Sequence, residues 1–203
     1  EVAPQKRGSG RRCWPMGDVG KLGSVIGAKT KLGWFESPSN PTLRCIDVRT
    51  VAAACKKAGV VSAIDNTFAS PVNQPVLSMG IDLSMQSCTK YLNGHSDVTG
   101  GVLSGSTSLM APIAKMRRLL GGVMDPLPAF ALGRGLKTMP LRVAQHNLNA
   151  MTVAQFLEGH PGIERVYYPG LASHPDHAIA KGQMSGFGGV VTIDVKGGKA
   201  GAY

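Results

Sequence analysis

A single lysine, Lys90, stands where a short apolar run gives way to a polar turn, and that placement narrows what the chain can fold into. The run from Ile81 to Met85 has the length and composition of a buried strand. Gln86, Ser87, Cys88 and Thr89 separate it from the lysine, and Tyr91, Leu92, Asn93, Gly94 and His95 follow. An earlier apolar run, Val60 to Ile64, closes on Asp65. Both runs therefore end on residues able to do chemistry.

The surrounding pattern predicts an α/β fold. Strands are expected at Lys31–Glu36, Val60–Ile64, Leu83–Gln86 and Val98–Gly105, with a further one at Gly189–Val195. A helix is expected over Asp47–Lys57, where Val48, Val51, Ala52 and Cys55 make one apolar face. Strands separated by a helix or a long crossing segment pair in parallel, so a mostly parallel sheet flanked by helices is predicted. Helices are expected to dominate from Ser106 to Gly159. Within that span Leu141, Ala144, Leu148, Met151 and Gln155 share a face, expected to pack on the core, and Pro140 suits a helix start.

An acid at the carboxyl end of a parallel strand lies on the edge where open α/β sheets bind ligands. A lysine flanked by Ser87 and Thr89, with Asp65 on a neighbouring strand end, is what pyridoxal phosphate (PLP) needs. The amine forms a Schiff base, and the acid keeps the pyridine nitrogen protonated. Spacing alone leaves simpler readings open. Lys90 also fits a solvated surface charge, and Asp65 with Asn66 also fits the start of a turn before Pro71.

The stretch from Asp82 to Ser96, DLSMQSCTKYLNGHS, resembles the PLP-lysine signature of the Cys/Met-metabolism enzymes. That family includes cystathionine γ-synthase, γ-lyase and β-lyase, methionine γ-lyase and O-acylhomoserine sulfhydrylase. Four more blocks agree in order: FESPSNPT at 35–42, IDNTFASP at 64–71, RGLKT at 134–138 and YPGLASHP at 168–175. The resemblance runs from about Asp18 to Lys196 and implies the PLP-dependent transferase fold of the aspartate aminotransferase class. It implies that Lys90 is the Schiff-base lysine and carries protons between substrate carbons. Asp65 would pair with the pyridinium nitrogen, Ser87 and Thr89 would donate to the phosphate, and Asn40 would lie near the phenolic oxygen and the substrate carboxylate. The partners implied are an amino-acid substrate, cystathionine or an activated homoserine, and further copies of the chain in a homo-oligomer.

Departures from the family matter equally. The upstream tyrosine that stacks on PLP, the adjacent Gly-rich turn, the Tyr and Arg of an N-terminal arm and the C-terminal arginine that grips the substrate carboxylate have no match. The expectation is an internal piece of a longer polypeptide, truncated at both ends and inactive alone. Three regions are expected: a divergent basic segment (1–17), part of the large PLP domain with its connecting helix (18–159), and the incomplete start of a C-terminal domain (160–203). The activity expected of the parent is γ-elimination of cystathionine to cysteine. That preference comes from Met85-Gln86 and the 151–158 helix. The alternatives are γ-replacement by a γ-synthase or sulfhydrylase, and a non-catalytic subunit partner.

Composition bounds the remaining classes. With 43% hydrophobic and 17% charged residues, the 203-residue chain has the apolar content for a core. Net charge is +10; residues 1–31 hold seven Lys/Arg against two acids, or +5, half the excess. No basic run carries the interleaved aromatics of a nucleic-acid platform, so no nucleic-acid partner is expected. Cys13, Cys45, Cys55 and Cys88 have no C-x-x-C spacing and fit reduced thiols, which points to the cytoplasm, with any organellar targeting segment expected upstream. No apolar run reaches the ~20 residues of a membrane span. His174 and His177 flank a proline and lack a third partner, so no metal is expected. His95 is expected to hold the Asn93-Gly94 turn, and paired glycines such as Gly100-Gly101 do not form a dinucleotide fingerprint.

Overall fold

The computed structural model describes residue 10 and residues 22–201. The basic segment 1–17, apart from Gly10, lies outside these, as do Cys13 and Asp18. After a one-turn helix, α1 (Leu22–Val25), the chain forms β1 (Leu32–Glu36), α2 (Val48–Lys57) and β2 (Val61–Asp65). A short helix α3 (Ser70–Asn73) and a 3₁₀ turn (Val76–Met79) lead to β3 (Leu83–Ser87), and a single π-type turn (Cys88–Leu92) leads toward β4 (Gly101–Gly105).

These four strands form one sheet in the order β1-β2-β3-β4. The first three are parallel, with Glu36 opposite Asp65 and Asp65 opposite Met85. Residues aligned across strands share a sheet face, so Glu36, Asp65, Met85 and Ser87 all project to one side. The last strand runs antiparallel, pairing Ser87 with Gly101, so the sheet is mostly parallel with one antiparallel edge. The connection from β3 to β4 contains no crossover helix, and the chain simply turns back. The expected strand at Val98–Gly105 starts only at Gly101.

The opposite face is covered by α2. Asp47 caps this helix rather than starting it: its carboxylate accepts from the Thr50 N–H at 3.0 Å and from the Thr50 hydroxyl at 2.9 Å. Val48, Val51, Ala52 and Cys55 are all buried, as the spacing predicts. Val48 and Ala52 pack with Ile64, Val76, Met79 and Ile81. Burying Val48 or Ile64 completely contributes about 1.5–3 kcal/mol each.

Three helices follow: α4 (Thr107–Leu120), α5 (Pro126–Leu136) and α6 (Met139–Glu158). Pro140 sits in the first turn of α6. The face expected to be buried is not the one that is. Leu141 and Leu148 are 75% and 65% exposed, Ala144 and Gln155 are exposed, and Met151 is half-buried. Val143, Ala150 and Ala154 face inward instead. Both stripes have helical spacing; the small side chains of Ala150 and Ala154 let α6 approach Val166, Tyr168 and Leu171 closely, and that contact decides the orientation.

Beyond α6 lie β5 (Ile163–Tyr167), α7 (His177–Gln183), β6 (Thr192–Val195) and a terminal turn, α8 (Gly198–Gly201). β5 and β6 pair antiparallel. Met184 and Ala180 join Cys45 and Ala69, so this part of the chain packs against the loops that leave β1 and β2.

Candidate functional site

Parallel pairing brings the carboxyl ends of β1, β2 and β3 side by side, and two of the expected site residues, Asp65 and Ser87, sit there. Asp65 is the last residue of β2. Its Oδ1 accepts from the Thr67 N–H at 3.0 Å and from the Thr67 hydroxyl at 2.6 Å. The same Thr67 oxygen accepts from the Ser87 N–H at 2.9 Å. One threonine thus ties the acid at the end of β2 to the last residue of β3. Asp65 does begin a turn, so the two readings of this residue are compatible rather than exclusive.

Lys90 lies inside the turn Cys88–Leu92 and is exposed, with φ −95° and ψ −128°, outside the helical region. Thr89 is pinned on one side: its hydroxyl oxygen accepts from the Gly100 N–H at 3.2 Å. Cys88 donates its N–H to Gly100 O at 2.8 Å. Among the described residues, neither the Lys90 amine nor the Ser87 hydroxyl has a hydrogen-bond partner. Cys88 is fully buried and burial pushes its thiol pKa up, so it serves as a packing group. His95 Nδ1 lies 2.6 Å from Asn93 O, the turn-holding role expected of it.

Asn40 is exposed in the loop after β1. No hydrogen bond joins it to Asp65; its backbone N–H favours the charged form of the Glu36 carboxylate. Burial, and then the charge of neighbouring Asp65, raise the Glu36 pKa, while that N–H opposes the rise. Ser37 donates its N–H to Asp65 O at 3.4 Å, which connects the Asn40 loop to β2.

Several supporting residues carried no motif-level signal. Arg142, on α6, donates from Nη1 to Tyr91 O at 2.9 Å and from Nη2 to Gly135 O at 2.8 Å. Below the strand ends, fully buried Gln74 donates to Ser37 O at 3.2 Å and to Asn66 Oδ1 at 2.9 Å, while Gln183 Nε2 donates to Gln74 Oε1 at 3.0 Å. Asp176 grips Arg44 through two bonds, the shorter 2.6 Å, and accepts the Cys45 N–H at 2.8 Å. Burial raises the Asp176 pKa, but the Arg44 bond and the Cys45 N–H lower it further, and the net shift is downward. The pair at His174 and His177 is thus occupied structurally. Their ring nitrogens meet Thr42 O, the Asp176 N–H and Pro169 O. No cluster of His, Cys, Asp and Glu suited to a metal occurs among the described residues.

The donor set fits PLP. The site offers a free amine on Lys90, a carboxylate with Oδ2 uncommitted on Asp65, a free hydroxyl on Ser87 and a second hydroxyl on Thr89 whose proton is not engaged. A carboxylate, an amine and short hydroxyl donors are complementary to a pyridinium nitrogen, an aldehyde and a phosphate dianion respectively.

Comparison with known proteins agrees with this chemistry. The profile of the Cys/Met metabolism PLP-dependent enzymes matches residues 4–202. The chain is 48% identical over 181 residues to a chloroplastic cystathionine gamma-synthase of Nicotiana tabacum, covering 89% of this chain and 34% of that protein. It is 46% identical over 170 residues to a cystathionine gamma-lyase of Dictyostelium discoideum, covering 83% and 44%. The crystal structure of a cystathionine gamma synthase from Xanthomonas oryzae pv. oryzae, in complex with aminoacrylate and cysteine, superposes with a TM-score of 0.81. Sequence identity there is 44%, over 84% of this chain and 44% of that one. The chain therefore spans less than half the length of these relatives.

Proposed function

The chain belongs to the Cys/Met-metabolism PLP-dependent enzymes, and we propose that it makes or breaks a carbon–sulfur bond of a cystathionine-type amino acid. The observation that supports this most directly is the Thr67 tie, which sets Asp65 and Ser87 beside each other at the strand ends next to Lys90.

PLP, when bound, supplies an electron sink conjugated to the substrate α-carbon. Lys90 would hold the cofactor through Nζ, and the same nitrogen would take the α-proton. Asp65 would keep a proton on the pyridine nitrogen, because its negative charge favours that protonated form. Thr67, by donating to Oδ1, holds the carboxylate in one orientation and leaves Oδ2 for the ring. Ser87 and Thr89 would bind the phosphate through their hydroxyls. Asn40 would offer its side-chain amide to the phenolic oxygen and the substrate carboxylate, without adding charge.

The γ-elimination expected from the sequence and γ-replacement draw on the same residues. Relatives named cystathionine gamma-synthase are 46–48% identical in tobacco and Arabidopsis, against 45–46% for two named cystathionine gamma-lyase, which gives γ-replacement equal footing as a second reading. The test begins with the purified chain, PLP and borohydride. Cofactor mass on the Lys90 peptide, absent from Lys90→Ala, supports the assignment, and cofactor on another lysine sinks it. Product analysis then separates the reactions. Elimination converts cystathionine and water to cysteine, ammonia and 2-oxobutanoate; replacement joins an O-acylhomoserine to cysteine and releases the acid. Self-association, which the family resemblance implies, is read by sedimentation of the same samples.

A further inference from the structure

The turn that carries Lys90 ends in carbonyls that its own helix cannot satisfy, as any helix end does. Arg142, some fifty residues away on α6, supplies the missing donors. Nη1 donates to Tyr91 O at 2.9 Å, and Nη2 to Leu92 O at 3.4 Å and to Gly135 O at 2.8 Å. Nε donates to Thr138 Oγ1 at 3.1 Å, which fixes the plane of the guanidinium from its other side. Two glycines make room for this arrangement. Gly94, at φ +74°, packs against the guanidinium where a Cβ would collide with it, and Gly135 packs so closely on the Asn93 backbone that a Cβ would overlap Asn93 O. Among the described residues, every side-chain hydrogen bond of Arg142 goes to the Lys90 turn or to the α5–α6 junction.

We propose that Arg142 is a positioning residue for Lys90: its guanidinium locks the backbone just after the lysine and thereby sets where the amine stands. Three backbone carbonyls and a hydroxyl converge on one planar fork, and a lysine at 142 could not meet them together. The free Lys90 side chain is exposed, so its position depends on its backbone, which lies outside the helical region and is anchored on the upstream side by Cys88 and Thr89 to Gly100. Arg142 supplies the downstream anchor. The role in catalysis rests on Lys90 being the cofactor-bearing residue; the mechanical role does not.

The test compares the purified chain with Arg142→Lys and Arg142→Gln, using two readouts. The first is amide hydrogen exchange of the 88–95 peptide, where Asn93 donates to Cys88 O and Gly94 to Lys90 O. Both variants are expected to exchange these amides at least about tenfold faster, with α2 and β2 unchanged. The second is the pH midpoint of the visible band of PLP on Lys90, expected to move by about half a unit or more because the amine is displaced from its neighbours. Unchanged exchange in both variants overturns the proposal. Faster exchange with an unmoved midpoint overturns the positioning role and leaves a merely structural one. Should the unaltered chain take no PLP at Lys90, the functional reading fails, and the exchange data alone decide whether Arg142 holds the turn. Should both variants lose their circular dichroism, Thr138→Val, which removes the Nε acceptor together with the hydroxyl's own bond to Gly135 O but leaves both Nη donors in place, is expected to give a smaller acceleration of the same amides, and its absence overturns the proposal.

Discussion

The hydroxyl oxygen of Thr67 accepts the Ser87 N–H at 2.9 Å, joining the turn after β2 to the last residue of β3. The same hydroxyl donates to Asp65, so it spends its proton on one site residue and a lone pair on another. Replacing Thr67 with valine keeps the shape and removes both bonds. The Thr67→Val protein is expected to fold, to lose about 1–3 kcal/mol of stability and to bind PLP at least about tenfold more weakly. Urea unfolding and a PLP titration check this; equal affinity in the two proteins would show that the tie does not organise the site.

Asp65→Asn isolates the charge from the shape. PLP should still attach to Lys90, because the amine is untouched, while turnover of any active amino-acid substrate falls by at least about a hundredfold. Mass mapping and rate measurement together decide it, and an undiminished rate would remove Asp65 from the assignment.

Stability should fall in two stages on acidification. His174 is buried, which lowers its pKa; Nε2 meets Thr42 O and Nδ1 accepts the Asp176 N–H, an arrangement suited to the neutral ring. A depressed folded pKa means the unfolded chain binds the proton first, so stability declines as pH drops below the ordinary histidine value near ~6.5. Asp176 is also depressed, through Arg44 and the Cys45 N–H, so its contribution disappears below the ordinary aspartate value near ~3.9. Urea midpoints measured between these values should lose their slope in His174→Gln, and those at lower pH in Asp176→Asn. Slopes that match the unaltered chain would contradict both assignments.

Gln86 is 4% exposed, and neither its Oε1 nor its Nε2 has a partner among the described residues. A buried amide left unsatisfied costs about 1–3 kcal/mol, so Gln86→Met, of similar volume, is expected to stabilise the chain by up to about that amount. A drop in the urea midpoint would instead reveal a partner for the amide.

Two glycines two residues apart in α5 should respond oppositely to alanine. At Gly133 no described atom lies within 4 Å of where a Cβ would stand, and alanine there should stabilise the helix by about 0.5–1 kcal/mol. At Gly135 the Cβ would overlap the Asn93 backbone, which cannot yield as a flexible side chain would, and about 1–3 kcal/mol should be lost. Thermal melts of the two variants read both signs directly.

The sequence by itself determined the local elements and the chemistry-bearing ends. Apolar runs of strand length, helix periodicity in Val48, Val51, Ala52 and Cys55, and the placement of Asp65, Ser87 and Lys90 after such runs are all properties of neighbours along the chain. Tertiary structure decided everything that depends on residues meeting across the chain. It turned α6 so that Val143, Ala150 and Ala154, not Leu141 and Leu148, face inward, because two stripes of equal periodicity differ only in what they can pack against. It reversed β4 and gave Thr67 its two partners. It also carried Arg142 to the carbonyls of Tyr91 and Leu92, a contact invisible to any pattern because its partners are backbone atoms that every sequence possesses.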